Sequence, residues 1–325
     1  MVVVFTVLPI AFILFKESDV PKILLPATIT WGQATFAMAA LPGSPQNPNI
    51  VPGAILGTNI MSGPVLGLIA GVIMFVLGWI YLEWQFKFYQ KKGIGFDPNA
   101  KINMKMDKDI DITDCPPAWK AFLPLIILII LNLCFNKGVF GEPMDSITSV
   151  NTSMVISIAV VFLLNPSKFN KIFTAFVEGS TEWFLPLFNF TCMIAFGNVV
   201  TSSNGFSVIA AALLALPGSV YVSALVTTGM MCGITGNGSG GETIALNAMA
   251  DKWITAGANP AVLHRIVSIT SSTFDSLPHC GGITTVYGLC DESVGKGYKH
   301  AFVTTVIVPL IAAVAAVALA CLGVV

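Results

Sequence analysis

Thr235-Gly236-Asn237-Gly238-Ser239-Gly240-Gly241-Glu242 follows directly on the apolar run Val220 to Ile234 and ends on a carboxylate. A second interruption, Thr273-Phe274-Asp275-Ser276-Leu277-Pro278-His279-Cys280-Gly281-Gly282, closes the stretch Ala261 to Ser272, which carries His264 and Arg265. Two more breaks lie at 41–53, rich in proline, and at 201–205, Thr201-Ser202-Ser203-Asn204-Gly205. Inside hydrocarbon an unpaired backbone group costs several kcal/mol, so irregular peptide survives there only when enclosed by protein or lining a wet cavity. The alternative is that these segments are ordinary loops outside the membrane. Short apolar flanks on both sides favour the first reading, above all for 235–242.

Composition agrees. The 325 residues are 55% hydrophobic and only 10% charged, with 16 Lys+Arg against 17 Asp+Glu, and the mean hydropathy is +0.81. Soluble domains carry about 25% charged residues. Disorder, nucleic-acid binding through a basic surface, and a solvated cytosolic enzyme are excluded. The seven cysteines form no C-x-x-C pair, so neither a disulfide framework nor a metal site is expected.

Outward from the breaks, the chain reads as successive apolar helices. Met1 to Phe15 would reach only some 22 Å at about 1.5 Å per residue, short of a hydrocarbon core of about 30 Å. No basic residue precedes this run and no small-x-small site follows it, so it is read as a spanning helix that lacks its beginning. Ile23 to Ala40 is a second run and Met61 to Trp84 a third, with Trp79, Tyr81 and Trp84 as interfacial anchors. Ala121 to Phe135, Ile147 to Leu164 and Ala301 to Val325 complete the plain spans. The polar stretch 86–120 holds seven lysines, whereas the next loop has Lys137 alone, which places 86–120 in the cytoplasm. A faint internal echo joins Thr35-Phe36 and Leu41-Pro42-Gly43 to Thr273-Phe274, Leu277-Pro278 and Gly281, as inverted repeats often show.

Gly236-Asn237-Gly238-Ser239-Gly240-Gly241 formally matches G-x-G-x-x-G. No strand precedes it, so a dinucleotide site is rejected in favour of a glycine-rich helix break. Ionisable side chains inside a bilayer are costly and mark ion or substrate pathways. Glu242 and Asp275 flank breaks and are read as proton- or cation-coupling residues, the alternative being a structural ion pair. Arg265 meets either a substrate carboxylate or Asp275, and the sequence leaves that open. No nucleophile elbow is present, so no enzyme is expected.

Leu41-Pro42-Gly43-Ser44-Pro45-Gln46-Asn47, Val200-Thr201-Ser202-Ser203-Asn204-Gly205-Phe206, Gly238-Ser239-Gly240-Gly241-Glu242-Thr243-Ile244-Ala245, Ser272-Thr273-Phe274-Asp275-Ser276-Leu277-Pro278-His279 and Tyr298-Lys299 occur in that order. In these segments the chain resembles the gluconate permease (GntP) family of the ion-transporter superfamily. The resemblance implies two inverted repeats, each with a re-entrant hairpin and a broken helix, and proton-coupled uptake of a sugar acid or related carboxylate. It places 201–205 at a hairpin tip, 238–243 at a helix break and 274–282 at a following tip, with 41–47 as the first-repeat counterpart. Two departures are evident: gluconate-type members tend to have a His and an Asn-Asp pair near the last tip, where this chain reads Phe274-Asp275-Ser276-Leu277-Pro278-His279, and family members begin upstream of the position matched by Met1.

The expectation is therefore an all-α polytopic integral membrane protein of inverted-repeat transporter type, its first repeat incomplete. Residues 1–325 form one transport domain, with 1–60 the remainder of the first repeat and 171–325 the second. Substrate contacts are assigned to Ser44, Gln46, Asn47, Ser202, Ser203, Asn204, Ser239, Thr243 and His279, and ion coupling to Glu242 and Asp275. The partners are a small organic anion, a proton or sodium ion and the lipid of the inner (plasma) membrane, with homodimerisation left open and no cofactor or nucleic acid. A sodium/proton antiporter and a truncated, non-transporting membrane fragment are the rival readings.

Overall fold

A computed structural model describes residues 2–103, 117–182 and 219–325, with 188, 191, 192, 195, 199, 202–205, 208 and 212 besides. Thr201, Lys105, Lys108, Cys115 and most of the apolar runs expected at 184–200 and 206–216 lie outside the described residues. The described elements are helical. The chain divides into two compact units, one of Met1–Lys105 with Met193–Val325, the other Met106–Cys192.

In the first unit α1 (Val2–Glu17) carries Pro9 in its interior, and α2 (Leu25–Ala34) follows a single 3-10 turn at Lys22–Leu24. The chain then leaves helical geometry at Thr35 (φ −120°, ψ −108°), makes a π turn at Phe36–Ala40 and resumes as α3 (Asn47–Leu56). α4 (Pro64–Lys91) has 28 residues, about 42 Å at 1.5 Å per residue, longer than a hydrocarbon core. Farther along come α8 (Val220–Thr235), α9 (Gly238–Thr255), α10 (Pro260–Ser271) and α11 (Gly281–Leu289). A last 28-residue span, Val294–Cys321, consists of α12 (Val294–Phe302), a π turn at Val303–Ile307 and α13 (Val308–Cys321).

The same succession occurs twice. A helix, a short helix, a break, a second short helix and a 28-residue span make up α1 to α4, and again α9 to α13. Their starts pair as Val2 with Gly238, Leu25 with Pro260, Asn47 with Gly281 and Pro64 with Val294. The packing is reciprocal as well. α3 packs on α10 as α11 packs on α2, and α10 packs on α4 as α2 packs on α12. The spans α4 and α13 pack directly on each other. Val4, Leu8 and Phe12 of α1 share one apolar cluster with Val286 of α11 and Cys290 just after it, which mirrors the contact of α9 with α3.

The breaks are shorter than the sequence suggests. The expected break at 41–53 runs from 35 to 46, and residues 47–53 are helical, because Pro48 sits in the first turn, where its missing N–H costs no hydrogen bond. The break at 235–242 shrinks to Gly236 (φ +60°) and Asn237. Asn237 caps the next helix by accepting from Gly240 N at 2.8 Å, so the glycines after it coil. The break at 273–282 occupies 272–280.

Four described helical stretches are long and apolar enough to cross a membrane: Lys22–Ala40, Pro64–Lys91, Trp119–Asn136 and Val294–Cys321. The expected Met61–Trp84 span thus continues to Lys91, and the polar stretch 86–120 begins inside α4. Its described remainder folds back: Asn103 Nδ2 donates to Gly288 O at 2.8 Å, and Phe96 N donates to Asp19 Oδ1 at 2.8 Å. The second unit contains α5 (Ala118–Asn136), α6 (Ser146–Leu164) and α7 (Phe169–Glu182). Across α5 and α6, Ser149 Oγ donates to Asn132 Oδ1 at 2.8 Å and Asn136 Nδ2 to Ser149 Oγ at 2.9 Å, polar pairing suited to helices in lipid. Thr148–Leu164 and Pro166–Thr181 meet at 93°.

Candidate functional site

Arg265 lies on α10 and is fully buried. Its Nε donates to Ser62 O at 2.9 Å, Nη2 to Ile60 O at 2.9 Å, and Nη1 to Ala40 O at 3.3 Å and Asn49 Oδ1 at 2.9 Å. A guanidinium has five donors and no acceptor, and this one is committed to the broken segment of the first succession. Room for it comes from α4. A Cβ added at Gly67 would stand 2.5 Å from Ala40 O and 3.1 Å from Arg265 Nε, and one at Gly63 would stand 2.6 Å from Arg265 Cβ.

Asn49, also fully buried, is the hub of this network. Its Nδ2 donates to Ser44 O (2.8 Å) and Ile60 O (3.0 Å), which fixes the amide so that Oδ1 accepts. His264 Nε2 therefore donates to Asn49 Oδ1 at 3.1 Å, and its Nδ1 takes the hydroxyl hydrogen of Thr58 at 2.7 Å. Of the two partners the sequence left open to Arg265, Asp275 is not among its acceptors. Among the described residues the ion pairs are Lys22–Glu292 and Lys87–Glu83.

Glu242 is 0% exposed, one turn into α9, and neither of its carboxylate oxygens has a hydrogen-bond partner. It forms no ion pair with Arg265, which lies on α10, a helix packed against α9. Gly241 lets this turn approach α8, since a Cβ there would stand 2.3 Å from Cys232 N. Thr227 and Thr228 on α8 and Ser268 on α10 also bury hydroxyls without partners, and α8, α9 and α10 pack on one another.

The tip of the α8–α9 hairpin sits against the second break. Gly238 lies beside Ser271 O and Asp275 Oδ2, whose distances to an added Cβ are 2.8 and 3.1 Å. Asp275 is 8% exposed, accepts from Ser276 Oγ at 2.9 Å, and faces the amide end of α9, where a helix favours negative charge. His279 is exposed, and its Nε2 donates to Gly233 O at 2.9 Å. Tyr298 OH donates to Ser276 O at 2.9 Å.

The structure thus brings Ser239, Glu242, Thr243, Asp275 and His279 to the α9 tip and the adjoining break. Ser239 is buried, and its carbonyl accepts from Thr243 Oγ1 at 2.7 Å. Ser44 and Gln46 lie just before α3 and Asn47 opens it; Ser44 is tied through Asn49 to α10, while Gln46 and Asn47 are exposed. Ser202, Ser203 and Asn204 are exposed, and Ser202 Oγ donates to Val199 O at 2.9 Å. Asn49, His264 and Arg265 were not assigned as site residues from sequence. The signal for Arg265 was the spacing Gly63-x-x-x-Gly67, small residues that let another element approach closely.

Side-chain caps are confined to some of the helix starts, and α2, α4 and α12 begin without one. Ser219, Asn237 and Asn259 cap α8, α9 and α10 with side-chain bonds, whereas α3 and α11 start without one. Gly281 and Gly282 at the start of α11 are exposed. In the first turn of α3, Pro48 has no N–H and Asn49 N donates to Gln46 O at 2.9 Å, so the glycine start of α11 is the more open of the two to an anion.

A curated relative matches over nearly the whole chain: the uncharacterized transporter YxjC of Bacillus subtilis (strain 168), 31% identical over 340 residues, covering 94% of this chain and 71% of that protein. The chain belongs to the family of that transporter. No protein-family model matches it, and no solved structure does. With its apolar spans, the YxjC relative is a polytopic membrane protein of transporter type.

Proposed function

We propose that this protein is a secondary active transporter that carries gluconate or a related small carboxylate inward across the plasma membrane together with protons. The observation that carries this reading is Glu242, a carboxyl buried without a hydrogen-bond partner on a helix that packs against the helix of Arg265. An ionised carboxylate left unpaired in a dry interior is costly, so such a group is suited to take up and release a proton as the site opens and closes. The resemblance to gluconate permeases supports the substrate class. So does α11, whose start carries no side-chain cap, has Gly281 and Gly282 exposed and presents a positive dipole end, the usual means by which broken-helix transporters hold anions.

In this reading Ser44, Gln46, Asn47, Ser239, Thr243 and His279 contact the substrate, with Ser202, Ser203 and Asn204 contributing from the preceding tip. Glu242 and Asp275 carry the coupling charge. Arg265 and Asn49 hold the first break against α10 and so fix the geometry between the two successions. The test is uptake of labelled gluconate into proteoliposomes of the purified protein under an imposed proton gradient. Accumulation that a proton ionophore abolishes is expected; no accumulation, or accumulation indifferent to the ionophore, contradicts the proposal.

A further inference from the structure

An apolar crevice of about 270 Å³ opens on the side of the first unit, lined by Phe15, Leu24, Trp31, Trp79, Leu82 and Phe86, with Thr28 and Glu83 as its polar residues. Most of its hydrogen-bonding groups are already committed. Thr28 Oγ1 donates to Leu24 O at 2.9 Å, and Trp31 Nε1 donates to Met74 O at 3.0 Å. Glu83 remains. Its carboxylate sits at the rim and pairs with Lys87 Nζ at 3.0 Å, with both side chains about half exposed or more. The crevice is thus an apolar slot bordered by one carboxylate, with a lysine paired to that carboxylate one turn farther along α4.

Its height in the bilayer follows from α4. The span is longer than a hydrocarbon core of about 30 Å, so its last turns emerge into the headgroup zone. Trp84, where these turns begin, is 59% exposed and Trp79, a little over one turn before it, is 57% exposed, and indoles favour the interface. Glu83 and Lys87 therefore stand at headgroup level, and the slot descends from them toward Trp31 beside the first break.

We propose that this crevice is a lipid site selective for phosphatidylethanolamine, holding one acyl chain in the slot. The lipid ammonium hydrogen-bonds Glu83, and its phosphate meets Lys87. A zwitterion serves both rim groups at once, whereas an anionic lipid meets Lys87 alone and brings no ammonium to the Glu83 carboxylate. A primary ammonium also donates hydrogen bonds that a quaternary one lacks. This assignment is independent of the transport reading.

The test uses the purified full chain in detergent and tryptophan quenching by phospholipids with brominated acyl chains, with Trp79→Phe isolating the signal at the crevice. Brominated phosphatidylethanolamine is expected to quench at a concentration about fivefold lower than phosphatidylglycerol or phosphatidylcholine, the scale of an exposed charge contact. Glu83→Gln, an exposed and conservative change, should remove that preference while the protein stays monodisperse. Thr28→Phe, which fills the slot, should weaken quenching by every lipid. Equal quenching by all three lipids, no quenching that depends on Trp79, or a preference unchanged in Glu83→Gln overturns the proposal.

Discussion

Asn49 and Arg265 meet at 2.9 Å, Oδ1 to Nη1, and through this contact the start of α3 in the first succession is joined to α10 in the second. The same oxygen accepts from His264 at 3.1 Å. One amide therefore holds two cationic or polar donors from α10 while its own nitrogen closes the turn at Ser44 and Ile60. The breaks of the two successions are thereby kept in register.

Asn49→Ala should remove the acceptor of both donors and leave buried polar groups unsatisfied. A loss of about 3 kcal/mol is expected, since hydrogen bonds to charged groups are worth roughly 1.5–3 kcal/mol each and orphaned partners add to the cost. The midpoint of denaturant unfolding in detergent measures it. A midpoint equal to that of the parent protein would contradict the bridging role.

Gly67→Ala should destabilise by roughly 1–3 kcal/mol, because the new methyl meets the carbonyl of Ala40 and the Arg265 side chain. Gly32→Ala is the control. It lies within α2 with nothing within 4 Å of an added Cβ, and the change should be neutral or stabilise by up to about 1 kcal/mol through helix propensity. Thermal unfolding of both variants side by side checks the contrast.

Asp275→Asn should abolish coupled uptake while membrane insertion and the fold persist. The amide oxygen can still accept from Ser276, so the loop keeps its shape, and only the charge facing the α9 terminus is lost. Uptake measured at matched membrane levels tests this; normal accumulation would remove Asp275 from the mechanism.

The sequence made the apolar spans and the existence of the breaks plain, because their signals are compositional and local. Break edges were less legible. Pro48 reads as a helix stop, yet in a first turn proline is tolerated, and the Gly238–Gly241 run reads as a kink, yet Asn237 caps it into α9. The Asn49 hub was illegible for a different reason. An asparagine among prolines looks like a turn residue, and His264, its partner, lies 215 positions away. The echo between Thr35-Phe36 and Thr273-Phe274 was faint in letters, whereas the reciprocal packing of α3 on α10 and α11 on α2 states it in structure.

Gradient-driven accumulation compared with exchange in Glu242→Gln tests the central claim most directly. The substitution keeps the size of the buried side chain and removes its capacity to carry a proton. In proteoliposomes, labelled gluconate should still exchange against unlabelled gluconate inside, while uphill accumulation under an imposed proton gradient disappears. Accumulation at the level of the parent protein would contradict the account.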